Sequence, residues 1–142
     1  MATMDDVLAR LLAVAPSVLA DEPVVAAYLF GSHARGEADH LSDVDVALLA
    51  PDVAPRDRLD LRLRVMGELS HALEGEVDVI VLDESPLTLS GRVIHDGAVV
   101  YSANEQRRAQ YESRTFREFV DFSLLGDKLA AEVLRQTAAG LR

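Results

Sequence analysis

The chain has no cysteine among its 142 residues, which excludes disulfide bridges, thiolate metal sites and thiol nucleophiles. It has no apolar run near the roughly 18 residues that a membrane-spanning helix requires. Its opening, Met1-Ala2-Thr3-Met4-Asp5-Asp6, lacks the basic segment of a signal peptide. A soluble, cytoplasmic protein with no membrane partner is expected. Basic residues are scarce beside acidic ones, 14 against 24, and the formal charge of −10 opposes approach to a polyanionic nucleic-acid backbone. Direct DNA binding is therefore not expected, and the sign favours divalent cations and basic partner surfaces, although such a charge also serves solubility. Internal repeats and low-complexity segments are absent too, and the length suits one domain with one core.

What is present concentrates between residues 30 and 49. There an apolar run breaks on Gly31-Ser32 and resumes, after a polar stretch, as the alternation Ser42-Asp43-Val44-Asp45-Val46. In a strand, alternate side chains leave the same face, so Asp43 and Asp45 project together, about 7 Å apart at the backbone. Two unneutralised carboxylates that close repel each other, and a hard divalent cation such as Mg²⁺ converts the repulsion into coordination. Gly31 permits close backbone approach, Ser32 adds a hydroxyl and N–H groups for phosphate oxygens, and Arg35 would neutralise phosphate charge.

Around this stretch the chain reads as alternating helices and strands. Val7, Leu8, Leu11, Leu12 and Ala15 recur at helical spacing, with Pro16 expected to end that helix or start a short second one. Residues 24–30 form an apolar run of strand length, 33–41 a helical turn closed by Gly36, and 42–50 a second strand. A helix follows, holding Leu59, Leu61, Leu63, Val65, Met66, Leu69, Ala72 and Leu73, with Arg56, Arg58, Arg62 and Arg64 on a solvated face and Gly75 as its stop. Residues 77–82 make a third strand in which Asp78 is out of place. A short helix runs from Ser85-Pro86 through Ile94, and 98–101 a fourth strand.

From Asn104, a helix N-cap, the sequence runs without proline to about residue 139, about 54 Å if wholly helical. Phe116, Phe119, Val120, Leu124, Leu129 and Val133 supply an apolar stripe, and Gly126 is a candidate bend. Part of the stripe is expected to face a partner; the alternative is that it packs wholly on its own sheet. The division expected is thus a domain over 1–103 and a helical segment over 104–142. The fold class is α/β (α+β): a mixed sheet of about four strands with helices mainly on one face and the acids at a strand end beside the Gly31 turn.

If residues 77–82 pair beside 43–50, Asp78 adds a third carboxylate to Asp43 and Asp45, and three acids can hold two Mg²⁺ ions for in-line phosphoryl displacement. Asp83 is the rival for Asp78, but it follows the apolar run in a loop. Glu37 and Asp39 are loop acids, and His33, His40, His71 and His95 are scattered without metal spacing.

This set, Gly31-Ser32, then Asp43-x-Asp45 about ten residues on, then Asp78 on a later strand, resembles the DNA polymerase beta type of nucleotidyltransferase. The longer form, Gly31-Ser32-x-x-Arg35-Gly36 followed by Ser42-Asp43-x-Asp45, looks like its minimal nucleotidyltransferase (MNT) branch, over about residues 24–101. The resemblance implies an antitoxin paired with an all-helical HEPN ribonuclease toxin, and transfer of AMP from ATP to a toxin tyrosine. It implies Asp43, Asp45 and Asp78 as catalytic and Mg²⁺-binding residues, Gly31, Ser32, Arg35 and Ser42 as the nucleotide phosphate contacts, and a hetero-oligomer with the toxin. A small-molecule, antibiotic-type nucleotidyltransferase is one alternative, weakened because such enzymes carry a second domain for the acceptor and a terminal helix is what is expected after residue 103. A non-catalytic antitoxin that masks its toxin sterically is the other alternative, although a pure binder has no need of mutually repelling acids.

Overall fold

The computed structural model describes residues 4–31 and 43–140, with side chains described over 6–31 and 43–138. The expected helical turn closed by Gly36 lies outside those residues, as do Ser32, Arg35 and Ser42. In chain order the elements are α1 (Met4–Leu19), β1 (Ala26–Phe30), β2 (Val44–Leu49), α2 (Arg58–Leu73), β3 (Val77–Val81), α3 (Leu87–Asp96), β4 (Ala98–Ser102) and α4 (Glu105–Gly140). The strands form one mixed sheet in the order β3-β2-β1-β4. β1 pairs antiparallel with both β2 and β4, and β2 pairs parallel with β3.

Period-two alternation divides the apolar residues between two faces. Ala27, Leu29, Val46, Leu48, Val77 and Val79 pack with α1 and α2 through Leu11, Leu19, Leu61, Val65 and Leu69. Ala26, Tyr28, Ala47 and Leu49 pack on the other side with Val93 of α3 and Tyr111 of α4. Helices therefore cover both faces, and the expectation that they lie mainly on one is corrected. Central strands buried on both sides read as continuous apolar runs, and such runs need a cover on each face.

Several local expectations change as well. Pro16 lies inside α1, which continues to Leu19; burying Leu19 completely offsets the hydrogen bond that proline removes. In α2 the core stripe is Leu61, Val65, Leu69 and Leu73 at four-residue spacing, whereas Leu59 and Leu63 are more than half exposed. The residue that stops α2 is Glu74, in the left-handed conformation at φ 54°, ahead of Gly75. Its N–H donates to the His71 carbonyl and that of Gly75 to the Ser70 carbonyl, the paired bonds of a Schellman ending. The arginines of α2 are more than a solvated face. Arg62 Nε donates to the Val79 carbonyl at 2.7 Å on the edge strand, and Arg64 makes a two-bond pair with Glu22.

Asn104 caps α4 as expected, its Oδ1 accepting the Arg107 N–H at 3.0 Å. The helix is a single 36-residue rod that passes Gly126 without ending. Its first turns pack on α3, with Thr115 buried and the Phe119 ring lying where a Cβ on Gly91 would be. Beyond that point Phe122, Leu124, Leu125, Leu129, Val133 and Leu134 are each more than half exposed. No helix among the described residues is long and apolar enough to cross a membrane.

Candidate active site

The site is built by the starts of β2 and β3 and the end of β1. Asp45 stands opposite Phe30, the last residue of β1, and beside Asp78 in the parallel register of β2 and β3. Register partners in a parallel pair send their side chains to the same face, so the carboxylates of Asp45 and Asp78 are neighbours by construction. They share the face of Ala47 and Ile80, at the strand starts, where Asp45 is half-buried and Asp78 exposed. Asp43, exposed just ahead of β2, precedes Asp45 by one strand repeat. Sequence reasoning placed Asp78 ahead of Asp83, and the topology explains the difference between them. Asp83 lies past the far end of β3, where its Oδ2 accepts the Ala50 N–H at 2.7 Å, so it holds the exit of β2 in place.

Gly31 follows β1 immediately and adopts φ +77°, a conformation that favours glycine. A Cβ at this position would also overlap the Asp45 carboxylate, which packs directly against the turn. Two separate constraints thus select glycine here, and together they bring a bare backbone turn against an acid.

As a donor set, Asp43, Asp45 and Asp78 are all oxygen ligands, the chemistry that Mg²⁺ takes. Among the described residues no three acidic or imidazole side chains already converge as a metal cage. The fit is therefore one of ligand type, register and a glycine notch at the acid. His95 pairs with its neighbour Asp96, and His71 lies in the last turn of α2.

A feature missed by sequence reasoning opens on the β3 side of the acids. It is a cleft of about 440 Å³ lined by Asp43, Asp78 and Glu76 at its acidic edge and by Leu63, Met66 and Gly67 of α2 on its apolar side. The signal was available in the spacing. Leu61, Val65, Leu69 and Leu73 complete a core stripe without Leu63, which falls about 200° around the helix from Leu61.

Comparison with known proteins bears on the family and the fold. The family described as "Polymerase beta, Nucleotidyltransferase" matches residues 16–106, well over half of the chain. Protein adenylyltransferase MntA of Shewanella oneidensis is 27% identical over 112 residues, which cover 79% of this chain and 78% of that protein. Among solved structures, a toxin–antitoxin complex with AMP-PNP contains a chain superposing with a TM-score of 0.65 at 20% identity, over 89% of this chain and 98% of that one. The tri-AMPylated Shewanella oneidensis HEPN toxin in complex with MNT antitoxin gives a TM-score of 0.63 at 20% identity, with the same coverage. At these identities the structural likenesses establish the fold.

Proposed function

Because the chain belongs to the polymerase beta nucleotidyltransferase family, we propose that it is an antitoxin that transfers AMP from ATP to a tyrosine of a cognate helical HEPN toxin in the cytoplasm. The observation that carries this reading is the register that sets Asp45 beside Asp78, with the Gly31 turn packed against Asp45. The adenylyltransferase name of the Shewanella oneidensis relative and the AMPylated toxin in a matching complex support the choice of AMP and of a protein acceptor.

In this mechanism Gly31, Ser32, Arg35 and Ser42 bind the phosphates of ATP, and Asp43, Asp45 and Asp78 hold Mg²⁺, two ions in the fullest form. Held there, Mg²⁺ would neutralise phosphate charge and lower the pKa of the attacking hydroxyl. The chain's part is to orient. The Gly31 turn, packed against Asp45, would offer its backbone to the triphosphate beside that acid. The tyrosine oxygen bonds to the α-phosphorus as its bond to the bridging oxygen breaks, pyrophosphate leaves, and the phenolic proton passes through a neighbouring carboxylate to water. Residues 1–103 carry this chemistry, and residues 104–142 pack on the domain and on the toxin.

Steric masking is the second reading, and the exposed apolar side chains from Phe122 to Leu134 favour it. Incubation with labelled ATP, Mg²⁺ and a cognate HEPN toxin separates the two. Label on a toxin tyrosine supports transfer, and protection of RNA without any label supports masking.

A further inference from the structure

We propose that the distal half of α4 is a dimerisation arm, and that a second copy of this chain covers its apolar stripe as an antiparallel helix pair. This stands apart from the adenylyl-transfer reading and concerns the chain alone. Near its root, α4 buries Thr115 and lays Tyr111 and Phe119 on its own domain. The same side of the helix continues through Phe122, Gly126, Leu129 and Val133, in alternating steps of four and three residues that stay within about 60° around the axis. There the domain has ended, and Phe122, Leu129 and Val133 are 53%, 58% and 60% exposed. A core stripe that runs on past its own core needs a second surface to cover it.

Charge and side-chain size identify that surface. From residue 119 to residue 142 the arm carries Asp121, Asp127 and Glu132 against Lys128, Arg135 and Arg142, so it is neutral, and the other 21 acids and 11 bases hold the whole formal charge of −10. A neutral stripe selects neither a basic nor an acidic partner, and set against its own copy in reverse it fits itself. With the two-fold axis between Asp127 and Lys128, Phe122 meets Val133 of the second copy and Leu129 meets Gly126, each twice, so every large side chain enters beside a smaller one. On the flanks Leu125 lies beside Glu132, whose carboxylate Arg135 already holds at 2.5 Å, and Ser123 beside Ala130, so no like charges meet in these pairs. The parallel pairing is worse on both counts: it sets Gly126 against Gly126, leaving an unfilled layer, and it brings two domains of charge −10 to the same end. The overlap, residues 119–136, is about 27 Å of helix and buries roughly 1,000 Å² in total, the lower limit for specific interfaces, so the dimer dissociates in the micromolar range. Leu124 and Leu134 lie outside the stripe and leave a separate apolar surface for the toxin.

Sedimentation equilibrium of the full chain, without nucleotide or toxin, from about 1 to about 200 µM tests this. The expected result is a concentration-dependent shift from one chain to two; a single chain throughout overturns the proposal and leaves the stripe to a foreign partner. Leu129→Lys should weaken association at least about tenfold, while Leu124→Lys, on the opposite side of the helix, should leave it within about twofold; equal effects overturn the assignment of the face. Gly126 gives the sharper variant. A Cβ there meets nothing within 4 Å in the single chain, so Gly126→Leu keeps the helix, as circular dichroism verifies. It nevertheless fills the notch that receives Leu129 and should weaken the dimer at least about fivefold. Stronger association would show unspecific apolar contact and overturn the register. Direction is read by cross-linking, because the chain has no cysteine of its own. A chain with Phe122→Cys should link through a short bis-maleimide to a chain with Val133→Cys and not to itself, the two copies of residue 122 lying about 16 Å apart along the axis. Phe122→Cys chains linked to one another overturn the antiparallel assignment.

Discussion

The two ends of the β2–β3 ribbon carry the same residue type for opposite purposes. At the far end Asp83 is committed to the backbone, accepting the Ala50 N–H at 2.7 Å and closing the exit of β2. At the near end Asp45 and Asp78 are set beside each other by register, with Asp43 ahead of them and a glycine turn pressed against Asp45. An acid that satisfies a backbone donor stabilises the chain; acids set side by side at strand starts offer oxygen ligands to a hard cation. The difference teaches that a carboxylate's role follows from its neighbours across the sheet more than from its place in a motif.

Exchanging the acids at each end breaks or sharpens that contrast. The largest effect belongs to the near end: Asp43→Asn or Asp45→Asn should lower AMP transfer by at least about a hundredfold while the protein remains folded, read as label incorporated from ATP. Equal labelling would remove the acids from the mechanism. The same variants should lose protection at one antitoxin to about twenty toxins, where only turnover suffices, yet keep binding through α4; RNA cleavage with and without ATP measures this. Protection that survives at that ratio without ATP would favour masking.

At the far end the expectation inverts. Asp83→Ala should keep transfer in the folded protein and cost about 1–3 kcal/mol of stability, measured by urea unfolding, because the Ala50 N–H loses its acceptor. A large loss of transfer without a loss of stability would restore Asp83 as the rival of Asp78.

A smaller effect, away from both ends, concerns Glu22, whose carboxyl the Arg64 guanidinium holds below its ordinary value of 4.5. A depressed folded-state pKa contributes stability above the unfolded value and loses it as pH falls through the folded value. Arg64→Ala should therefore cost at most about 1 kcal/mol near neutral pH, and the gap to the unmodified chain should close below pH 4.5.

The sequence made the strands legible because apolar runs bounded by Pro23, Gly31 and Gly75 match buried strands, and it singled out Asp78 because an acid inside such a run has no core role. The cap at Asn104 was readable for the same local reason. What was not readable depends on distance in sequence. Only tertiary packing decides that Leu63 faces the cleft while Leu61 faces the core, that Arg62 reaches the Val79 carbonyl, and that α3 and α4 cover the second face of the sheet. Pro16 shows packing overriding propensity, kept in a helix by Leu19 beyond it, while Glu74 takes a left-handed turn ahead of an available glycine, within the backbone bonds that end α2.

The contact between Gly91 and Phe119 has a mechanical consequence. Phe119 is a pivot near the last point where α4 touches the rest of the protein, and about 32 Å of helix extend from it to Gly140. A lever of that length converts a tilt of about 10° at the root into a sweep of about 5 Å at the tip. One methyl group added to Gly91 would overlap the Phe119 ring and force a shift at the root of that arm.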